Sequence, residues 1–330
     1  MRDVAVEREQ LPITPDDVAA AAQRLAGIAH RTPVLTSREL NERLGAELFL
    51  KAEQFQRGGA FKFRGGYNTV ASLSERELAS GVVGSSSGNH AQALAIAAGL
   101  AGTKATIFMP RDAPASKRAA TEGYGARVIE FDRYVDDREG IVRELAERQG
   151  LTPVHPYDDP RIMAGAGTST LELLADVPGL DLVVIPVGGG GQLAGGAVAA
   201  SGLDDGPRVV GVEPAAIGQW STSRAAGRRV EVEVARTIAD GQQLSIPGRL
   251  TFAVASALVD DVVGVHDEQL LAAMRYLFER QKLVTEPSGS SALAAILSGL
   301  IDVHGLRVGV ILSGGNIAVE RFLSLMSASD

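Results

Sequence analysis

The stretch Asp181-Leu182-Val183-Val184-Ile185-Pro186-Val187-Gly188-Gly189-Gly190-Gly191-Gln192-Leu193-Ala194-Gly195-Gly196 is an apolar run that breaks into four glycines and continues as a helix of small residues. A short apolar run bounded by a turn signal suits a strand buried on both faces, as in parallel sheets. Four residues without side chains let successive backbone N–H groups approach an anion, with the partial positive charge of the following helix behind them. Phosphate fits such a loop. A P-loop is excluded, because no Lys-Ser or Lys-Thr follows the glycines. Two other accounts stay open on this segment alone. One is a strand–helix turn closed by tight packing. The other is the dinucleotide fingerprint, met by Gly189-x-Gly191-x-x-Ala194 with Glu213 about 20 residues on, which suits a nicotinamide-dependent oxidoreductase.

Outward from this loop, strand and helix patterns alternate. Thr14-Pro15-Asp16-Asp17 is a helix start, and an alanine-rich helix is expected over Val18 to His30, ended by Arg31-Thr32-Pro33. Strands are expected at Ala46 to Lys51, Gly81 to Gly84, Thr106 to Met109, Ala126 to Phe131, Val209 to Val212 and Val308 to Leu312. Helices are expected at Ala91 to Ala101, Ala115 to Gly123 and Asp136 to Arg148. The tract after Trp220, through Arg228-Arg229, reads as a surface loop. This alternation indicates right-handed βαβ units, a mostly parallel sheet and an α/β class. No repeat or low-complexity linker marks a domain boundary.

Composition removes whole classes of function. Among 330 residues the net charge is −8, with no run of five like charges, which argues against nucleic acid or an anionic membrane as partner. There is no cysteine, so disulfides, thiolate metal sites and thiol nucleophiles are excluded. No apolar stretch reaches the roughly 18–20 residues of a bilayer span, and Met1 to Gln10 is charged and lacks a secretory core. A cytoplasmic protein is the expectation. Only five of the 32 basic residues are lysines, at positions 51, 62, 104, 117 and 282, so an amine nucleophile has few candidates.

Three further segments can carry chemistry. Ser85-Ser86-Ser87-Gly88-Asn89-His90 sits at a strand-to-helix junction, where hydroxyls, an amide and backbone donors suit a carboxylate; an N-capping serine is the plainer account. Lys62 lies in Gly58-Gly59-Ala60-Phe61-Lys62-Phe63-Arg64-Gly65-Gly66, between two phenylalanines and near an arginine. Desolvation and a nearby cation both disfavour the ammonium and free the amine for a Schiff base, whereas a snorkelling lysine is the plainer account. Near the C-terminus, Val308 to Leu312 runs into Ser313-Gly314-Gly315-Asn316, which places a hydroxyl at the carboxyl edge of a sheet or simply makes a turn.

Lys51-x-Glu53 with Gly59 to Gly65, Ser86 to His90, Gly188 to Gly191 and Ser313 to Asn316, in that order, resemble the fold-type-II pyridoxal-phosphate (PLP) enzymes, specifically the threonine/serine dehydratase and serine racemase branch. The resemblance runs from about Val18 to Phe322, and Gly88-Asn89-His90 separates it from sulfur-transferring relatives, which have Gly-Asn-Thr. It implies a fold of the tryptophan synthase β type, with two open, twisted, mostly parallel sheets flanked by helices. A large PLP-binding domain is implied over 1–67 plus 158–330, and a small mobile domain over 68–157. By the same resemblance Lys62 carries the cofactor, Phe61 packs beside its ring, Asn89 contacts the ring hydroxyl, and Gly188, Gly189, Gly190 and Gly191 hold the phosphate. Gly241 lies against the ring and Ser313 faces the pyridine nitrogen. Ser86, Ser87, Asn89 and His90 cradle the substrate carboxylate, Arg138 reaches it on closure, and Ser87 matches the racemase branch's second base.

The implied reaction is β-elimination from L-threonine or L-serine to a 2-oxo acid and ammonia. A racemase, or a dehydratase of a bulkier or acidic 3-hydroxy amino acid, is the alternative. The resemblance also implies a small amino-acid substrate and a homodimer. Racemase-type members bind a divalent cation beside Val212-Glu213-Pro214, but Gln219 stands where they place a second acid, so no metal site is expected. The chain stops at Asp330, leaving no room for the regulatory domain of biosynthetic threonine dehydratases, so feedback by isoleucine is not expected.

Overall fold

Thr14 caps the first helix, Pro15–Leu25, through a reciprocal bond pair with Asp17 in the computed structural model, which describes residues 11–113 and 115–327. The expectation for Met1 to Gln10 lies outside the described residues. The helix stops at Leu25 rather than His30, because Gly27 takes a left-handed φ of 74° that ends the helical turn.

Ten strands follow in chain order: β1 (Val34–Leu35), β2 (Glu47–Ala52), β3 (Val82–Ser85), β4 (Ala105–Pro110), β5 (Arg127–Phe131), β6 (Thr152–Pro153), β7 (Leu182–Pro186), β8 (Arg208–Pro214), β9 (Asp261–Val265) and β10 (Arg307–Leu312). They form two sheets, one of six strands in the order β1-β2-β10-β7-β8-β9 and one of four in the order β5-β4-β3-β6. Every pairing is parallel except β1 with β2. In the larger sheet Val310 of β10 lies opposite Leu50 and Val184, and all three are fully buried. Helices cover both faces, which is why these strands read as continuous apolar runs rather than alternating ones.

β1, β6 and β9 carry no sequence signal strong enough to read: two are dipeptides, and β9 is a short run broken by Gly264. The helix Pro160–Asp176 is also missed. Its Gly165 and Gly167 depress helix propensity, but a side chain at either would strike the backbone of Arg64 or Gly195, so they permit close helix packing. The tract after Trp220 is a correction. Gln219–Ala226 is helical, Trp220 is fully buried beneath it, and only from Gly227 onward is the chain irregular. Among the described residues no helix is long and apolar enough to cross a membrane.

A buried ion cluster joins the sheet to two helices. Arg64 bonds Glu53 at 2.7 Å and Glu172 at 2.8 Å, and Lys51 bonds Glu172 at 2.7 Å. Lys51, Glu53 and Arg64 are all fully buried, so the Lys51-x-Glu53 segment acts as a structural anchor.

Candidate active site

Five helices begin at one cavity of about 480 Å³ between the two sheets. Lys62, Asn89, Arg138 and Gly191 are the first residues of their helices, and Glu286 caps Pro287–Leu297; all five line the cavity. Their unpaired first-turn amides give it a positive potential before any side chain is counted. The carboxyl ends of β3, β7 and β10 supply Ser85, Pro186 and Ser313 to the same wall, the expected ligand edge of parallel sheets. All the residues singled out from sequence, namely Phe61, Lys62, Ser86, Ser87, Asn89, His90, Arg138, Gly188 to Gly191, Gly241 and Ser313, line this cavity.

Lys62 is held from two sides. Phe61 N–H donates to Ser313 O at 3.0 Å, and Ala60 bridges Gly314, which pins the lysine turn to the end of β10. The amine donates to Pro156 O at 2.8 Å and lies 5.1 Å from the Phe61 ring centre. Burial pushes it down to about 8, against the opposing pull of the Glu286 carboxylate. The sequence expectation that Arg64 assists is corrected, since that guanidinium is turned away and held by Glu53 and Glu172. Phe63 also turns away, stacking on Tyr67 at 5.7 Å.

In the serine loop the helix is capped by Gly88, not by a serine, so the three hydroxyls are not caps. Ser86 Oγ accepts from Gly88 N–H at 3.2 Å, while Ser85 Oγ is buried without a partner. Asn89 is bonded at both ends of its amide, donating to Glu286 Oε1 at 2.6 Å and accepting from Asn316 Nδ2 at 2.9 Å. His90 is 3% exposed, its Nε2 lies 3.3 Å from Val154 O, and burial pushes it down to about 3. It is therefore neutral, and what it can offer a carboxylate is its first-turn N–H rather than a charged ring.

The glycine loop has its carbonyls turned outward. Val187 O accepts from Gln242 Nε2 at 3.0 Å, Gly188 O from Trp220 Nε1 at 2.6 Å and Gln219 Nε2 at 2.9 Å, and Gly189 O from Thr251 Oγ1 at 2.7 Å. Among the described residues no protein acceptor faces the amides of Gly189, Gly190 or Gly191, which leaves them for an anion. Packing also explains these glycines, more fully than their composition suggests. A side chain at Gly189 would enter the Tyr157 ring, and Gly190 adopts φ 101° against Trp220 and Thr251. Asp158, next to Tyr157, accepts from the amides of Arg249, Leu250 and Thr251 and so locks that ring in place.

Glu286, Tyr157, Lys117, Arg133 and Gln192 also line the cavity and were not read from sequence. Glu286-Pro287 at the head of a small-residue helix is a start signal, but nothing local reveals that its carboxyl is 5% exposed and pushed up to about 7, chiefly by burial. Gly241 N–H donates to Ser288 Oγ at 3.1 Å, which places that turn on the same helix.

Glu213 accepts from the amides of Trp220 and Ser221, each at 2.8 Å. Both carboxylate oxygens are thus taken by a helix N-terminus, leaving neither the ribose contact of a dinucleotide site nor a cation cage. Among the described residues no group of three or more His, Asp or Glu is arranged for a metal.

An inward-facing row of amides beside a buried amine of lowered basicity fits an aldehyde that carries a phosphate. The model of the family described as pyridoxal-phosphate dependent enzyme matches residues 25–314. The chain is 47% identical to the L-threo-3-hydroxyaspartate ammonia-lyase of Saccharomyces cerevisiae, over 96% of this chain and 97% of that one. It is 44% identical to the serine racemase of Schizosaccharomyces pombe, over 95% and 97%. The structure of maize serine racemase superposes with a TM-score of 0.91 at 38% identity, covering 96% of this chain and 98% of that one. The protein belongs to the pyridoxal-phosphate dependent enzymes, with the fold-type-II architecture and pyridoxal 5'-phosphate as cofactor, among the ammonia-lyases and serine racemases.

Proposed function

We propose that the protein is an ammonia-lyase that eliminates the β-hydroxyl of a small 3-hydroxy amino acid, L-threonine or L-serine, to give a 2-oxo acid and ammonia. The observation that carries this reading is the Lys62 amine, pushed down to about 8 by burial in the cavity that the glycine loop and the serine loop share. Bound pyridoxal phosphate supplies an electron sink for the bonds at Cα. Lys62 takes the Cα proton, since an amine pushed down to about 8 presents far more of its neutral, basic form near neutral pH than an ordinary lysine does. Ser86, Ser87 and the first-turn amides of Asn89 and His90 hold the substrate carboxylate, and Arg138 at the cavity mouth adds a charge-assisted bond to it. Ser313, on the cavity wall, would offer the cofactor's pyridine nitrogen a hydroxyl rather than a carboxylate, which would leave that nitrogen less protonated and would favour elimination. We also assign residues 68–157 to a small domain that closes over 1–67 plus 158–330.

A second reading is favoured by charge. Lys117 in the cavity is paired with Asp240, but Arg133 and Arg138 line it as well, more guanidiniums than one α-carboxylate needs, and this suits an acidic 3-hydroxy amino acid. The likeness to a hydroxyaspartate ammonia-lyase supports it. Racemisation is compatible too, because Ser87 lines the same wall. Ammonia release from L-serine, L-threonine and L-threo-3-hydroxyaspartate, with chiral analysis of residual serine, separates these readings. Turnover of none of the three refutes the lyase assignment.

A further inference from the structure

Among the described residues one ion pair joins residues 68–157 to the rest of the chain. Lys117, on the helix Ala115–Gly123, donates to Asp240 Oδ2 at 2.7 Å, and Asp240 opens the short turn Asp240–Gln242 of the large-sheet half. Both line the cavity, and their side chains are 23% and 54% exposed, so the pair lies where the cavity meets solvent. Each end is attached to a wall of the site. A side chain at Gly88 would meet Lys117 Nζ at 4.0 Å, which puts the amine over the serine loop. Asp240 precedes Gly241, whose N–H is bonded to Ser288 on the helix Pro287–Leu297. The pair therefore crosses the cavity from one half to the other. An ion pair this exposed contributes little to folding and is screened by salt, and its partners rehydrate readily when they part. Such a contact suits opening and closing, unlike the contact of Asn89 with Glu286, whose carboxyl is 5% exposed.

We propose that Lys117 and Asp240 form a latch that holds the two halves together over the cavity and opens to admit the amino acid and release the product. Opening parts the serine loop from the Gly241 turn and uncovers the cofactor; re-forming the pair shields it from water. The proposal rests on residues 68–157 closing as a domain.

The test uses the holoenzyme, with acrylamide quenching of the bound cofactor's fluorescence as the measure of opening. Lys117→Met and Asp240→Asn are each expected to raise the quenching constant about two- to fivefold, the range a partly exposed ion pair can supply, and the double variant no more than either alone. Concentrated salt brings wild type to the level of the variants and leaves the double variant unchanged. Equal quenching in wild type and both single variants overturns the latch, as do additive effects in the double variant. Because the chain has no cysteine, Lys117→Cys with Asp240→Cys supplies its only two thiols, which a short bismaleimide can bridge. The bridged holoenzyme is expected to lose turnover of the amino acid that wild type prefers, relative to the same variant capped with N-ethylmaleimide. Full turnover by the bridged enzyme overturns the proposal together with the closing domain beneath it. Loss of turnover on bridging, with wild-type quenching in Lys117→Met and Asp240→Asn, overturns the latch alone.

Discussion

Asn89 Nδ2 donates to Glu286 Oε1 at 2.6 Å, a bond that ties the start of one helix in the small-sheet half to the start of another in the large-sheet half. It reports on the charge of the cavity, because Glu286 is pushed up to about 7 by burial and by nearby Asp240, with Asn89 acting in the opposite direction. The fold therefore favours the protonated acid.

For Glu286→Gln, which keeps an acceptor for Asn89, the sign follows from that upward displacement. The wild-type acid contributes stability below its ordinary value of 4.5 and loses it as pH rises through about 7. Urea unfolding of the apoproteins should show Glu286→Gln gaining on wild type from pH 5 to pH 8, by on the order of 2–3 kcal/mol. A difference that does not change with pH contradicts the assignment.

Lys62 should load its cofactor as a neutral amine. The rate of covalent capture of pyridoxal phosphate by apoprotein should rise with pH to a midpoint near 8, not near the ordinary 10.5 of a lysine. Lys62→Ala should abolish turnover and borohydride fixation while retaining the fold.

Trp220→Phe removes the 2.6 Å bond to Gly188 O and leaves that of Gln219. Pyridoxal phosphate affinity should fall about five- to thirtyfold, the equivalent of about 1–2 kcal/mol. Because amides already occupy Glu213, EDTA should leave affinity and turnover unchanged; loss of either on chelation would count against this account of the site.

Arg133→Ala tests the acidic-substrate reading. Among the described residues its guanidinium is held by exposed Asp112, and Arg133 lines the cavity. The KM for L-threo-3-hydroxyaspartate should rise about tenfold, as expected for one lost charge-assisted bond, while the KM for L-serine stays within about twofold. Equal effects on both substrates would remove the specificity role.

Glu53→Ala takes one of two carboxylates from the fully buried Arg64, leaving it Glu172 and two neutral acceptors, Thr168 Oγ1 and His30 O. Unfolding free energy should drop by about 3–5 kcal/mol, the usual result of stranding a buried charge.

Local pattern was enough for the α/β class, seven of the strands and the polar and glycine-rich loops that line the cavity, because a doubly covered strand must be apolar throughout and an anion loop must expose its own backbone. Only Gly188 to Gly191 pointed to an anion by local composition; Lys62 and Ser313 each had a plainer local account and were singled out by the family resemblance, and all of them line the cavity. Only the folded chain decided the rest. Glu286 meets Asn89 across 197 positions, Arg64 finds Glu172 across 108, and Trp220 reaches Gly188 across 32. Which groups end up dry, paired or left without a partner depends on how the two sheets bring distant helix ends together, and no local stretch of residues contains that information.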